Sequence, residues 1–166
     1  MPERRAPTPS QTVGPFFSFA LPFQGGANAG AEVGIGLRIE GQVIDGAGAS
    51  VPDAILEMWH GAAFVRCATD AAGRYRVTIP KPRATPGPEG STQAPHIEVS
   101  VFARGLLRHL ATRIYFSDEQ EANAADPILA GIDAARRTTL LAHHDGAVLR
   151  FDIRLQGGPE TVFFAL

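Results

Sequence analysis

The chain has 166 residues, of which 45% are hydrophobic and 19% are charged, a balance typical of one globular domain with or without an arm. Its formal net charge of −2 offers no basic face of the kind that binds nucleic acids. The single cysteine, Cys67, excludes an intrachain disulfide and a thiolate zinc cluster, which favours a reducing compartment, the cytoplasm. A membrane span needs about 18 consecutive apolar residues, and no such run occurs. The charged residues 1–5 lead into no apolar stretch typical of a signal peptide.

Residues 1–36 are predicted to form an extended N-terminal arm. Prolines and glycines recur along this part and break any helix. It is nevertheless rich in phenylalanine, at Phe16, Phe17, Phe19 and Phe23. A solvated linker does not need these side chains, so we expect the arm to pack on the surface of a partner. An irregular loop folded onto its own domain is the alternative.

From residue 37 onwards, apolar and polar residues alternate as they do in half-buried strands. The predicted strands span residues 37–43, 54–59, 64–69, 74–79, 96–102, 110–116, 148–155 and 161–164. A proline-rich loop is predicted at 80–95, and helix-like patterns occur at 118–129 and 133–141. We therefore predict an all-β fold, an antiparallel Greek-key β-sandwich over residues 37–166 with short helices near its C-terminal third.

One pair of side chains able to bind a metal stands on a predicted strand. His96 and Glu98 are two residues apart and share one strand face, where they could supply two ligands to iron or zinc. A further ligand would have to come from Tyr75 or Tyr115, the tyrosines of the chain. The alternative is a histidine that is hydrogen-bonded within the sheet.

Two other features could carry chemistry. Arg104 follows a predicted strand beside a turn glycine, where its guanidinium can clamp a carboxylate or simply remain solvated. His143 and His144 precede an Asp-Gly pair and are expected in an exposed turn rather than in a metal site.

Several separate blocks of the chain resemble the α subunits of the intradiol ring-cleavage dioxygenases, in the same order. The N-terminal block reads TPSQTVGPFF at residues 8–17. The other blocks lie at residues 94–97, 102–105, 113–116, 126–129, 150–157 and 160–164. The resemblance covers residues 7–166, with a shorter loop after Trp59, and its ordered blocks make it specific.

The resemblance implies a β-sandwich fold and a hetero-oligomer of α and β subunits. It also implies O₂-dependent opening of a small aromatic substrate, protocatechuate, to 3-carboxy-cis,cis-muconate. In this family the catalytic subunit binds Fe(3+) through two tyrosines and a His-x-His pair, whereas the α subunit has lost the metal site. Here His96 matches the first histidine, but Glu98 replaces the second, and no tyrosine stands at 61–64 or 80–95. The two residues are therefore expected to be vestigial, with the iron in the β partner.

The resemblance further implies that the α subunit lines an active site at the α/β interface. Thr12 and Phe16 match the pocket threonine and aromatic residue of the arm, and Arg104 matches the pocket arginine. Phe16 lacks the hydroxyl that some relatives carry as tyrosine. We thus predict an iron-free subunit that binds substrate beside a β partner, with no catalytic residue assigned to it. There are two alternative hypotheses. The first is a self-sufficient metalloenzyme that uses His96, Glu98 and a tyrosine, and the second is a non-catalytic β-sandwich binding or assembly module.

Overall fold

The computed structural model describes residue 14 and residues 17–29 and 36–165. Short helices in this part are α1 (Phe17–Ala20), α2 (Gln120–Ala125), α3 (Pro127–Ala130) and α4 (Ala134–Arg137). The strands are β1 (Leu37–Ile44), β2 (Ile55–His60), β3 (Ala63–Ala68), β4 (Arg74–Ile79), β5 (Thr85–Pro86), β6 (Thr92–Gln93), β7 (His96–Phe102), β8 (Leu110–Phe116), β9 (Leu141–Asp145), β10 (Val148–Arg150) and β11 (Ile153–Arg154). The prediction of a mostly β chain is thereby confirmed. No helix in the described part is long and apolar enough to cross a membrane.

One large sheet dominates the fold, and it nearly closes on itself like a barrel. From β4 it runs through β1, β10, β9, β8, β7 and β2 to β3, with β11 continuing β10 along β1. Most neighbours are antiparallel, but β1 pairs with β10 and β11 in parallel, as β8 does with β9. The core lies inside this curved sheet, because alternate side chains of its strands point inward.

A short N-terminal segment, residues 26–29, bridges the edges of β3 and β4. The Gly26 carbonyl accepts a hydrogen bond from the Arg66 amide at 2.7 Å, on β3. On β4, the Thr78 amide donates to the Ala27 carbonyl, and the Thr78 carbonyl accepts from the Ala29 amide. Two otherwise open sheet edges thereby receive backbone partners. Phe17, in α1, is also buried within the chain, with 6% of its surface exposed.

The structure differs from the predicted elements at several places, one of which is strand β9, where the sequence predicts the end of a helix and a turn. The strand predicted at 148–155 is split, because the Asp152 carboxylate replaces a backbone acceptor for the Gln42 amide. The predicted loop 80–95 contains the hairpin of β5 and β6. Pro127 ends one helix and begins the next, so 118–129 is not a single helix. Near residue 164, a single bridge to Ala111 stands in place of the predicted last strand.

Candidate functional site

His96 and Glu98 lie on the outer face of β7. The intervening and following residues Ile97, Val99 and Val101 fill the core, so the alternation of the strand turns His96 and Glu98 outward. A second apolar cluster, built from Ala94, Tyr115, Leu129 and Leu140, packs over this end of the outer face. His96 is consequently buried, whereas the Glu98 side chain keeps 34% exposure.

Glu98 is bound by a cation from the neighbouring strand. Arg113 of β8 stands directly opposite Glu98 in the ladder, and its Nη2 lies 2.8 Å from Glu98 Oε1. His96 Nε2 lies 3.4 Å from the same oxygen, while its Nδ1 donates to the Ala94 carbonyl at 2.7 Å. Arg113 also donates to the side-chain oxygen of Gln93 at 2.7 Å. The carboxylate of Glu98 therefore already binds a guanidinium cation and is not free to bind a metal ion.

Tyr115 and Asp126 complete this network on its buried side. The Tyr115 hydroxyl accepts from Arg113 Nη1 at 3.3 Å and donates to Asp126 Oδ1 at 3.5 Å. Asp126 is fully buried, and its carboxylate accepts the amides of Ala94, Ile128 and Leu129 at 2.7–2.9 Å. It thereby caps helix α3 and fastens it to the start of β7. Burial raises the pKa of Tyr115 to about 12, so its phenol is neutral.

These residues do not fit a ferric iron. Tyr75, the other tyrosine, lies in the core on β4, where its hydroxyl donates to the Phe151 carbonyl at 2.5 Å. Burial raises its pKa well above the ordinary value, so it stays protonated there. Within residues 14, 17–29 and 36–165, no group of three His, Cys, Asp or Glu side chains is arranged to hold a metal. Ferric iron prefers hard anionic donors, and the carboxylates present here are already bound to Arg113 or to backbone amides.

Loss of the Glu98 charge is expected to reduce stability in a pH-dependent way. Burial alone would raise the pKa of Glu98, but His96 and Arg113 outweigh burial and bring the pKa below its ordinary value of 4.5. The folded chain therefore binds fewer protons than the unfolded chain around this pH, and the stabilisation is lost as the pH falls through the folded pKa. We expect the free energy of unfolding in urea to be higher for the wild type than for Glu98→Gln at neutral pH. The difference between the two should shrink below pH 4.5.

The matched control for this prediction is Glu121→Gln, which removes an exposed carboxylate that has no ion pair within the described residues. It should leave the same pH profile unchanged. A stability difference for Glu98→Gln that stays constant down to strongly acidic pH would contradict the role given to its charge.

Arg104 stands on the turn that follows β7, at the far end from Glu98. Glu98 and Arg104 are six residues apart along the strand direction, which corresponds to roughly 20 Å. One small ligand therefore cannot contact both side chains. Its Nε pairs with the carboxylate Oδ2 of Asp53, and 69% of the Arg104 side chain is exposed. The rings of Phe102 and His109, at the two ends of this turn, stack with centroids 5.3 Å apart.

The remaining predicted positions have different outcomes. Thr12 and Phe16 lie outside the described residues. His143 and His144 are exposed as expected, but they belong to strand β9 and not to a turn. Cys67 is buried in the core, and burial raises the pKa of its thiol to about 12.

Sequence reasoning missed the partners of the candidate site residues. The sequence marks Arg113 only as part of a family block, and its place opposite Glu98 depends on the β7–β8 register. Asp53 carried no local signal at all. Asp126 could have been found, because aspartate followed by proline is typical of a helix start.

Searches for similar proteins give a consistent result. No family model matches the chain. The protocatechuate 3,4-dioxygenase alpha chain of Burkholderia cepacia is 41% identical over 95% of this chain and 96% of its own length. The corresponding alpha chain of Pseudomonas putida is 39% identical over 95% of both chains. The beta chain from Burkholderia cepacia is 31% identical over 80% of this chain and 69% of its own length.

Solved structures agree on the fold. A hydroxyquinol 1,2-dioxygenase from Pseudomonas putida superimposes with a TM-score of 0.60 at 19% identity, covering 91% of this chain and 68% of that one. A catechol 1,2-dioxygenase from an Acinetobacter species gives 0.58 at 22% identity, covering 77% and 55%. The fold is thus the one found in intradiol dioxygenases. At the level of sequence, the chain belongs to the family of protocatechuate 3,4-dioxygenase alpha chains.

Proposed function

We propose that this chain is the iron-free α subunit of a protocatechuate 3,4-dioxygenase, which completes the active site of an iron-binding β chain. The reaction is the O₂-dependent intradiol cleavage of protocatechuate to 3-carboxy-cis,cis-muconate. The observation that carries the proposal is the ion pair between Glu98 and Arg113. A cation occupies the position that resembles the family's iron-binding His-x-His pair, which supports assigning the Fe(3+) to the β chain.

Arg104 is the residue through which this subunit brings positive charge to the shared site. The turn that carries it is well exposed, with 64% of Leu107 accessible. Arginine is enriched in protein interfaces, and a planar guanidinium suits a carboxylate. Arg104 binds the ring carboxylate of protocatechuate or stabilises the anion that develops on it. Thr12 and Phe16 line the same pocket from the arm.

The architecture that goes with this function has two parts. Residues 1–36 form an arm whose residues 26–29 pair with β3 and β4 of this chain and whose exposed part packs on the β chain, and residues 37–166 form a Greek-key β-sandwich of the intradiol dioxygenase type. The assembly is a cytoplasmic hetero-oligomer. The exposed aromatic side chains of Phe23 and Phe64, which flank Arg66, support an interface near the arm.

The proposal is tested by the iron content of this chain purified alone and purified with its β chain. We expect near-zero iron and no activity from this chain alone, and iron with ring-cleavage activity in the complex. The tyrosinate-to-iron charge-transfer absorption band should appear in the complex and be absent from this chain alone.

Two results would overturn the proposal in different directions. One iron per chain in the isolated α subunit, with a tyrosinate band, would favour a self-sufficient enzyme that uses His96, Glu98 and Tyr75 or Tyr115. A β chain that is fully active by itself, and unchanged when this chain is added, would favour a non-catalytic assembly module.

A further inference from the structure

We propose that Asp53 is a positioning residue for Arg104, which it holds with the terminal guanidinium nitrogens directed at the substrate. The inference rests on the proposed function, because it assigns Asp53 a task only if Arg104 contacts substrate at the shared site. It adds a residue that the sequence pattern did not indicate.

The pairing follows from the register of two strands. Ile55 of β2 faces Phe102 of β7 in an antiparallel ladder. Continuing that register by two residues in each strand brings Asp53 opposite Arg104, on the same sheet face as the Ile55–Phe102 pair. The ion pair between Asp53 Oδ2 and Arg104 Nε is therefore a cross-strand pair at the end of the ladder.

Asp53 is the fixed member of the pair. Its side chain is 18% exposed, whereas that of Arg104 is 69% exposed. The next residue, Ala54, is fully buried, and its amide donates to the Thr69 hydroxyl at 3.0 Å. The Ala54 carbonyl in turn accepts from the Thr69 amide at 2.9 Å. Asp53 is thus followed by a residue whose amide and carbonyl are both hydrogen-bonded. Its own position is therefore fixed, and it can restrain the longer side chain of Arg104.

Arg104 is restrained at its base as well. Ala103 is buried, and the following Gly105 has a φ of 84°, which starts a tight turn that a side-chain-bearing residue would strain. These features fix the backbone at Arg104 but leave its long side chain free to rotate. Within the described residues, Asp53 supplies the ion pair that selects its orientation.

The geometry of the contact leaves the binding end of the guanidinium open. Asp53 approaches the guanidinium at Nε, and 69% of the Arg104 side chain is exposed, so the guanidinium remains accessible to a second carboxylate. A planar carboxylate binds a guanidinium through two parallel N–H donors, and the terminal nitrogens offer such a pair. The pair with Asp53 leaves the guanidinium charged, since arginine is not deprotonated in proteins. Restricting the rotamers of Arg104 favours binding, because less conformational entropy is lost when the substrate binds.

The test is a double-mutant cycle in the complex with the β chain, using Asp53→Ala, Arg104→Ala and the double variant. We expect Asp53→Ala to raise the KM for protocatechuate roughly 2- to 10-fold with kcat little changed. In the Arg104→Ala background, it should raise KM no further. Asp53→Asn, which keeps an acceptor oxygen without the charge, should give an intermediate KM and guards against a folding defect.

The matched control is Asp145→Ala. Asp145 pairs with Arg150 at 3.1 Å in an exposed Asp–Arg pair, remote from Arg104 in the fold. It should leave KM unchanged.

Three results would overturn the inference. An equal rise in KM in both backgrounds would mean that Asp53 acts independently of Arg104. An unchanged or lower KM for Asp53→Ala, beside a clear effect of Arg104→Ala, would refute the positioning role while leaving the proposed function intact. An inert Arg104→Ala would refute both roles, although the iron measurement would still test the proposed function separately.

Discussion

Arg104→Ala, assembled with the β chain, is expected to lower kcat/KM for protocatechuate about 10- to 150-fold. The range corresponds to the loss of one charge-assisted contact, worth about 1.5–3 kcal/mol. Arg104 is mostly exposed in this chain, so its removal should leave the folding of the chain unaffected. Steady-state kinetics of the complex, with iron measured on the same samples, checks the prediction.

Two controls sharpen this result. Arg104→Lys keeps the charge but loses the planar pair of donors, so its kcat/KM should fall between those of wild type and the alanine variant. Arg74→Ala removes an exposed arginine of β4 that has no side-chain ion pair within the described residues, and it should have no effect. Loss of iron in Arg104→Ala, with the complex intact, would contradict a substrate-binding role.

Gly41→Ala is expected to destabilise the chain by about 3 kcal/mol or more, since overpacking against immobile atoms lies at the upper end of such effects. A Cβ at this position of β1 would overlap the carbonyl oxygen of Phe151 and approach the Tyr75 ring at 2.9 Å. The overlapping atom belongs to the backbone, so it cannot rotate away. The same carbonyl accepts the hydrogen bond from the Tyr75 hydroxyl, which the shift would also disturb.

Urea unfolding of the purified chain measures this effect, as a lower midpoint at unchanged slope. Gly158→Ala is the control, because a Cβ there meets no atom within 4 Å. If the two variants unfold at the same midpoint, the close approach of β1 to Phe151 does not constrain this position.

The strands with regular alternation were predictable because alternation is a local property. β4, β7 and β8 begin and end where the pattern of apolar and polar residues indicates. The strand predicted at 148–155 failed for a non-local reason, since its interruption depends on Asp152 reaching the amide of Gln42 on another strand. The bridge formed by residues 26–29 was missed because backbone hydrogen bonds to distant edges leave no trace in composition.

The amino-acid sequence by itself determined the family of this chain and the replacement of a histidine by Glu98, because ordered motifs and residue identities can be read directly. It also indicated Arg104 as a candidate for carboxylate binding. Only the tertiary structure decided that Arg113 binds Glu98 and that Asp53 faces Arg104. Each of these pairs joins two strands, and its geometry is set by the register between them. Register depends on packing across the whole sheet, so no local pattern contains it.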